Sequence, residues 1–92
     1  MSLVRDIEQK IRRIEGFAVR FLHEDGRDLR GDRANIRQYP FERAAGDDAT
    51  VEWWKGHRFR PYYPLLRVEV KFRNGEAAPG NTKLATVRCS YR

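Results

Sequence analysis

Nine residues at positions 65–73, LLRVEVKFR, constrain the fold more than any other stretch. Leu66, Val68, Val70 and Phe72 alternate with Arg67, Glu69, Lys71 and Arg73, and Leu65 falls on the polar side. A period of two is that of a strand with one apolar and one polar face. Such a strand cannot stand alone. Its backbone groups need neighbouring strands, and its apolar face needs a second layer.

The second layer is legible at the N-terminus. In SLVRDIEQKIRRIEG, Leu3, Ile7, Ile11 and Ile14 recur at spacings of four, four and three, with Val4 beside them. That is one face of an α-helix, predicted over residues 3–15. Ser2 is a candidate cap, and Gly16 suits a left-handed stop. Arg12 and Arg13 lie where the helix dipole favours cations.

Further strands are predicted at 17–22 and 35–41. In the first, Phe17, Val19 and Phe21 alternate with Ala18, Arg20 and Leu22, and Asp25-Gly26 follows as a turn signal. In the second, Pro40 restricts the strand to an edge or an end. Residues 27–33 are polar and read as a weak edge strand or a loop. Residues 50–60 fit a short helix capped by Asp48 and stopped by Gly56, or a strand; the strand is preferred. Residues 82–91 read as a last strand in a hairpin with 65–73. It would turn Ala85, Val87, Cys89 and Tyr91 inward and Arg88 and Arg92 outward. The expected fold is therefore α+β in two layers: one N-terminal amphipathic helix on one face of a four- to five-stranded antiparallel sheet.

Length and composition bound the rest. A chain of 92 residues suits one small domain spanning 1–92. The single cysteine, Cys89, excludes an internal disulfide and a cysteine-rich zinc site. No run of ~18 apolar residues offers a membrane span. The charged N-terminus lacks the apolar core of a secretion signal. The expectation is a cytoplasmic protein without a cofactor. A small core makes a homodimer plausible.

The formal charge of +6 is uneven. Residues 51–92 hold nine basic and three acidic residues, a balance equal to the whole excess. The same segment holds the aromatic doublets Trp53-Trp54 and Tyr62-Tyr63, with Lys55, His57, Arg58 and Arg60 between them. Neighbouring side chains diverge in either a strand or a helix, so the two members of a doublet cannot share a core pocket. One ring of each is expected near the surface. Exposed rings among cations are the means by which proteins hold single-stranded nucleic acid: rings stack on bases and cations hold phosphates. Arg67, Lys71, Arg73 and Arg88 would extend the basic surface across the outer sheet face, with Arg20 and Arg92 joining; the competing reading is an ordinary solvated face with Glu69 paired across strands to Arg88. Aromatic and arginine clusters are also frequent hot spots of protein interfaces.

The fragment RVEVKF resembles the Glu-x-Lys strand of the PD-(D/E)xK nuclease superfamily. The resemblance implies a metal ion held by Glu69 and a water positioned by Lys71, with Asp47 or Asp48 as the upstream acid. The segment lacks that family's Pro-Asp pair ahead of the strand. His23 and His57 stand 34 positions apart with no partner at ligand spacing, so no metal is expected at them.

These readings converge on a small non-catalytic binding protein whose basic aromatic surface contacts nucleic acid. The named contacts are Trp53, Trp54, Lys55, His57, Arg58, Arg60, Tyr62, Tyr63, Arg67, Lys71, Arg73 and Arg88. The alternatives are a phage or mobile-element type of inhibitor or accessory protein, acting by binding an acidic or nucleic-acid-binding protein surface, and the metal-dependent nuclease.

Overall fold

A computed structural model describes residues 3–27, 29 and 36–91. Helix α1 spans Val4–Glu15 and is followed by strand β1, Ala18–His23. Helix α2 is one turn, Val51–Trp54, and runs on as a π-helical turn, Lys55–Phe59. Strand β2 spans Leu66–Lys71, and helix α3 spans Leu84–Cys89. The fold is thus three helices and one sheet of two antiparallel strands among the described residues, which corrects the expected four- to five-stranded sheet under a single helix.

Helix α1 forms as its periodicity dictates. Val4, Ile7 and Ile11 are buried. Gly16 ends it at φ 84°, and its N–H donates to the Arg12 carbonyl. The first turn starts at Leu3 without a side-chain cap; the candidate cap Ser2 lies outside the described residues.

Strand β1 pairs with β2 from Ala18↔Lys71 to His23↔Leu66. Val19 and Phe21 stand opposite Val70 and Val68, and these four side chains form the buried face. The partner of β2 is therefore β1 and not the last segment. Short backbone pieces extend the ladder on both sides. The Leu29 N–H donates to the Phe21 carbonyl, and the Ala78 N–H to the Val70 carbonyl. Of the expected edge at 27–33, only 27 and 29 are described, and both run beside β1.

The other three expected strands give way for physical reasons. Residues 36–41 form no named strand; the buried Tyr39 ring directs its hydroxyl to a side chain of α1. Residue 35 lies outside the described residues. In residues 50–60, Thr50 Oγ1 accepts the Trp53 N–H at 3.1 Å and so caps a helix. Val51 and Trp54, three apart, turn into the core, and the helix passes through Gly56 rather than stopping there. In residues 82–91, Leu84 and Val87 are buried at helical spacing while Ala85 and Cys89 are exposed. The alternation that suggested a strand shares Val87 and Tyr91 with the helical stripe, and Leu84 decides between them.

Helices α2 and α3 are too short to be stable alone. Their N-termini satisfy each other. The Val51 and Glu52 N–H groups donate to the carbonyls of Thr82 and Gly80, and the Leu84 and Ala85 N–H groups to those of Ala49 and Asp47. Orphan donors of two helix starts are thereby met by long-range backbone carbonyls rather than by local caps. One apolar cluster gathers α1, both strands, α2, the π turn and α3.

Candidate functional site

The π turn presents its side chains in two directions. On the solvent side, the Trp53 ring is 41% exposed. It stacks on the His57 ring at 4.4 Å between centroids and 16° between planes. The Trp53 carbonyl lies 2.9 Å from His57 Nδ1, a bond that places a proton on that nitrogen and fixes the imidazole under the indole. On the core side, the Trp54 ring is fully buried. The second doublet divides in the same way: Tyr63 is buried and Tyr62 half-buried. Burial pushes the Tyr63 phenol up to about 12, and its hydroxyl donates to the Arg37 carbonyl. One ring of each doublet therefore belongs to the core, as divergent side chains require.

Beyond Trp53 the turn meets β2 at Leu66, Arg67 and Val68. Lys55, Arg60 and Arg67 line a cavity of about 110 Å³ with Phe59, Leu66 and Val68 as its apolar walls. Lys55 is half-buried there. Burial, then the neighbouring Arg60 guanidinium, hold its ammonium below the usual lysine value; Arg67 acts in the same direction. Glu69 acts the other way, more strongly than Arg67, and Glu52 does so less. Glu69, the nearest carboxylate on β2, is held by Lys71 Nζ at 2.6 Å, and this bond lowers its acidity range below the usual carboxylate value. Among the described residues, Lys55, Arg60 and Arg67 form no ion pair.

Two arginines expected on the binding surface are structural. Glu15, at the end of α1, is buried with four donors on its carboxylate. Tyr39 Oη and Arg58 Nη1 reach Oε2 at 2.5 and 2.8 Å; the Ala45 N–H and Arg88 Nη2 reach Oε1 at 2.8 and 3.3 Å. Arg58 also donates to the Arg43 carbonyl and lies over the Phe41 ring. Arg88 donates from Nε to the Glu15 carbonyl and from Nη1 to Asp47. Arg88 thus points inward, and the expected Glu69–Arg88 pair does not form. The Tyr39 hydroxyl accepts the Trp54 indole N–H at 3.1 Å, and burial beside the carboxylate raises its pKa well above the ordinary phenol value. Arg58, Arg88, Trp54 and Tyr63 therefore leave the candidate surface.

The remaining expected contacts are spread out. Arg73 is exposed, with its backbone N–H bonded to Ser90 Oγ. Lys71 is engaged by Glu69. Arg20 stands opposite Glu69 in the ladder, and Arg92 lies outside the described residues. The structure brings together Lys55, Arg60 and Arg67 at one cavity, and Trp53 and His57 as a stacked pair in the same helical segment. The acids of the nuclease resemblance stay apart in their bonding: Glu69 holds Lys71, and Asp47 holds Arg88. Among the described residues, no three His, Cys, Asp or Glu side chains gather to hold a metal ion. No described helix is long and apolar enough to cross a membrane.

Comparison of the chain with protein-family models, with curated proteins and with solved structures found no match. The site is read from its own geometry.

Proposed function

We propose that this chain is a nucleic-acid-binding module that holds a single strand on the Trp53–His57 stack and on the cations of the adjoining strand edge. One observation carries the reading. A tryptophan lies outside the core, stacked on a histidine, and the same helical segment carries Lys55 and Arg60, which line a small cavity with Arg67 and, among the described residues, form no ion pair. Aromatic faces accept any base, and cations at a concave edge accept phosphate, so the pair of features supports backbone-directed binding with little sequence preference.

The test is a titration of fluorescent single-stranded DNA and RNA at two salt concentrations. Binding at low salt that weakens as salt rises supports the reading, and Trp53→Ala is expected to cost about 1–3 kcal/mol of affinity per base stacked there. Absence of binding at low salt overturns it.

A second surface supports a protein partner instead. Leu65 is 74% exposed beside Pro64 and Tyr62, at the end of the ladder where His23 meets Leu66. A pull-down repeated after nuclease treatment separates the two. A partner retained without nucleic acid, and lost in Leu65→Asp, favours the protein-binding reading.

A further inference from the structure

We infer that the Lys55–Arg60–Arg67 cavity takes a phosphomonoester dianion, presented as the terminal phosphate of a bound strand. The inference rests on the nucleic-acid reading for the source of the phosphate, and on the cavity alone for its chemistry. Size comes first. At about 110 Å³, against about 570 Å³ for the cleft beneath Tyr91, the cavity is a small one. About 10–15 Å³ of such space admits one water, so the cavity holds several water-sized groups and accommodates a phosphoryl head. A phosphodiester within a strand lies across the mouth of such a pocket, whereas a terminal phosphate enters it end-on.

Charge comes second. Three cations on two elements converge on a site walled by Phe59, Leu66 and Val68. Apolar walls strengthen charge interactions by lowering the local dielectric. The arrangement is unfavourable to the empty protein: burial, then the Arg60 guanidinium, act against the Lys55 ammonium, and Glu69, itself bound to Lys71, offsets this only in part. A planar carboxylate is served by a single guanidinium fork. A terminal phosphate carries about two negative charges near neutral pH and three acceptor oxygens, which matches three donors of positive charge.

Polarity of the strand is left to the experiment. The full chain is titrated with one short single strand, labelled internally, in three forms: with a 5′-phosphate, with a 3′-phosphate, and with hydroxyls at both ends. One phosphorylated form is expected to bind about tenfold tighter than the hydroxyl form, as one or two charge-assisted hydrogen bonds would give. Arg67→Ala, an exposed position, is expected to abolish that difference, while Trp53→Ala weakens all three forms by a common factor. Equal affinity of the three forms for the wild type overturns the inference and leaves the nucleic-acid reading standing. Should no form bind, the nucleic-acid reading fails, and inorganic phosphate and pyrophosphate decide the cavity. Protection against thermal unfolding that Arg67→Ala removes upholds a phosphate site, and its absence overturns it.

Discussion

Glu15 lies four residues past Ile11 and eight past Ile7, so it falls on the apolar stripe of α1 although its side chain is a carboxylate. That misfit marks a buried polar centre, and Ile14, which continues the same stripe as an apolar residue, masks it. A buried carboxylate needs compensating donors, and Arg58 and Arg88 supply them from segments 43 and 73 positions away. No local pattern distinguishes such arginines from surface ones. Glu15→Ala leaves both guanidinium groups without their shared partner. It is expected to cost about 3–5 kcal/mol, read as a lowered midpoint in urea unfolding. Tyr39→Phe removes the acceptor of the Trp54 indole N–H and one donor to Glu15, for about 1–3 kcal/mol in the same measurement. Glu8 behaves differently. Its Oε2 accepts the Phe21 N–H at 2.8 Å, yet burial outweighs that bond and raises its pKa above 4.5. The folded state then binds the proton more tightly than the unfolded state. The ionised side chain therefore costs stability above its folded value, and the cost fades as pH falls through it towards 4.5. Glu8→Gln keeps the acceptor without the charge. It is expected to match or exceed wild-type stability at pH 7, with the two proteins converging in acid, whereas Glu8→Ala falls below both.

At the scale of elements, the parts that carried their own instructions were readable and the parts that borrowed them were not. Helix α1 and strands β1 and β2 have long, consistent periods, and their positions follow the pattern within a residue or two. Helices α2 and α3 are a turn or so long, and their first N–H groups are satisfied by carbonyls from each other's approach segments. Reciprocal capping of that kind leaves no mark in either local sequence, while Ala85, Val87, Cys89 and Tyr91 imitate a strand. The doublets were legible in part. That the two rings of each diverge follows from side-chain geometry alone, but only the Thr50 cap and the core positions of Val51 and Phe59 decide that Trp53 is the exposed one, while Tyr62 stays half-buried against Phe41. The stop of α1 is equally local. Gly16 sits at φ 84° with Arg88 Cγ 3.5 Å from where a Cβ would stand, so space is adequate and conformation is the obstacle. Gly16→Ala is expected to cost about 1–2 kcal/mol, measured by urea unfolding. The helical form of α3 makes a further prediction. Cys89 is exposed, so in the native protein a thiol reagent should modify it at the rate of the urea-unfolded chain. Protection of the thiol would restore the inward-facing strand.

For the whole molecule, the charge of +6 is divided between structural and available cations. Arg58 and Arg88 neutralise Glu15 and Asp47 inside the fold, and Lys71 neutralises Glu69. Among the described residues, Lys55, Arg60 and Arg67 form no ion pair and line one cavity. Burial first, and then the Arg60 guanidinium, make the ammonium of Lys55 destabilising in the free protein. Its folded value is depressed, so the cost is present in full below that value and disappears as pH rises towards 10.5. Lys55→Met keeps the stem and drops the charge, and it is expected to raise stability at neutral pH while weakening binding. A residue that costs stability and contributes to binding is the signature of a site kept for its ligand. Salt dependence then counts the cations in use. For single strands the slope of log affinity against log salt is about −0.7 per phosphate contact. Arg67→Ala and Lys55→Met are each expected to make the slope shallower by roughly that amount. Trp53→Ala should lower affinity at every salt concentration with the slope unchanged, because stacking releases no counterion. Affinity should also decline as pH rises through the depressed value of Lys55, since binding then requires uptake of a proton. Equal slopes for the wild type and Arg67→Ala would place the strand on some other face of the protein.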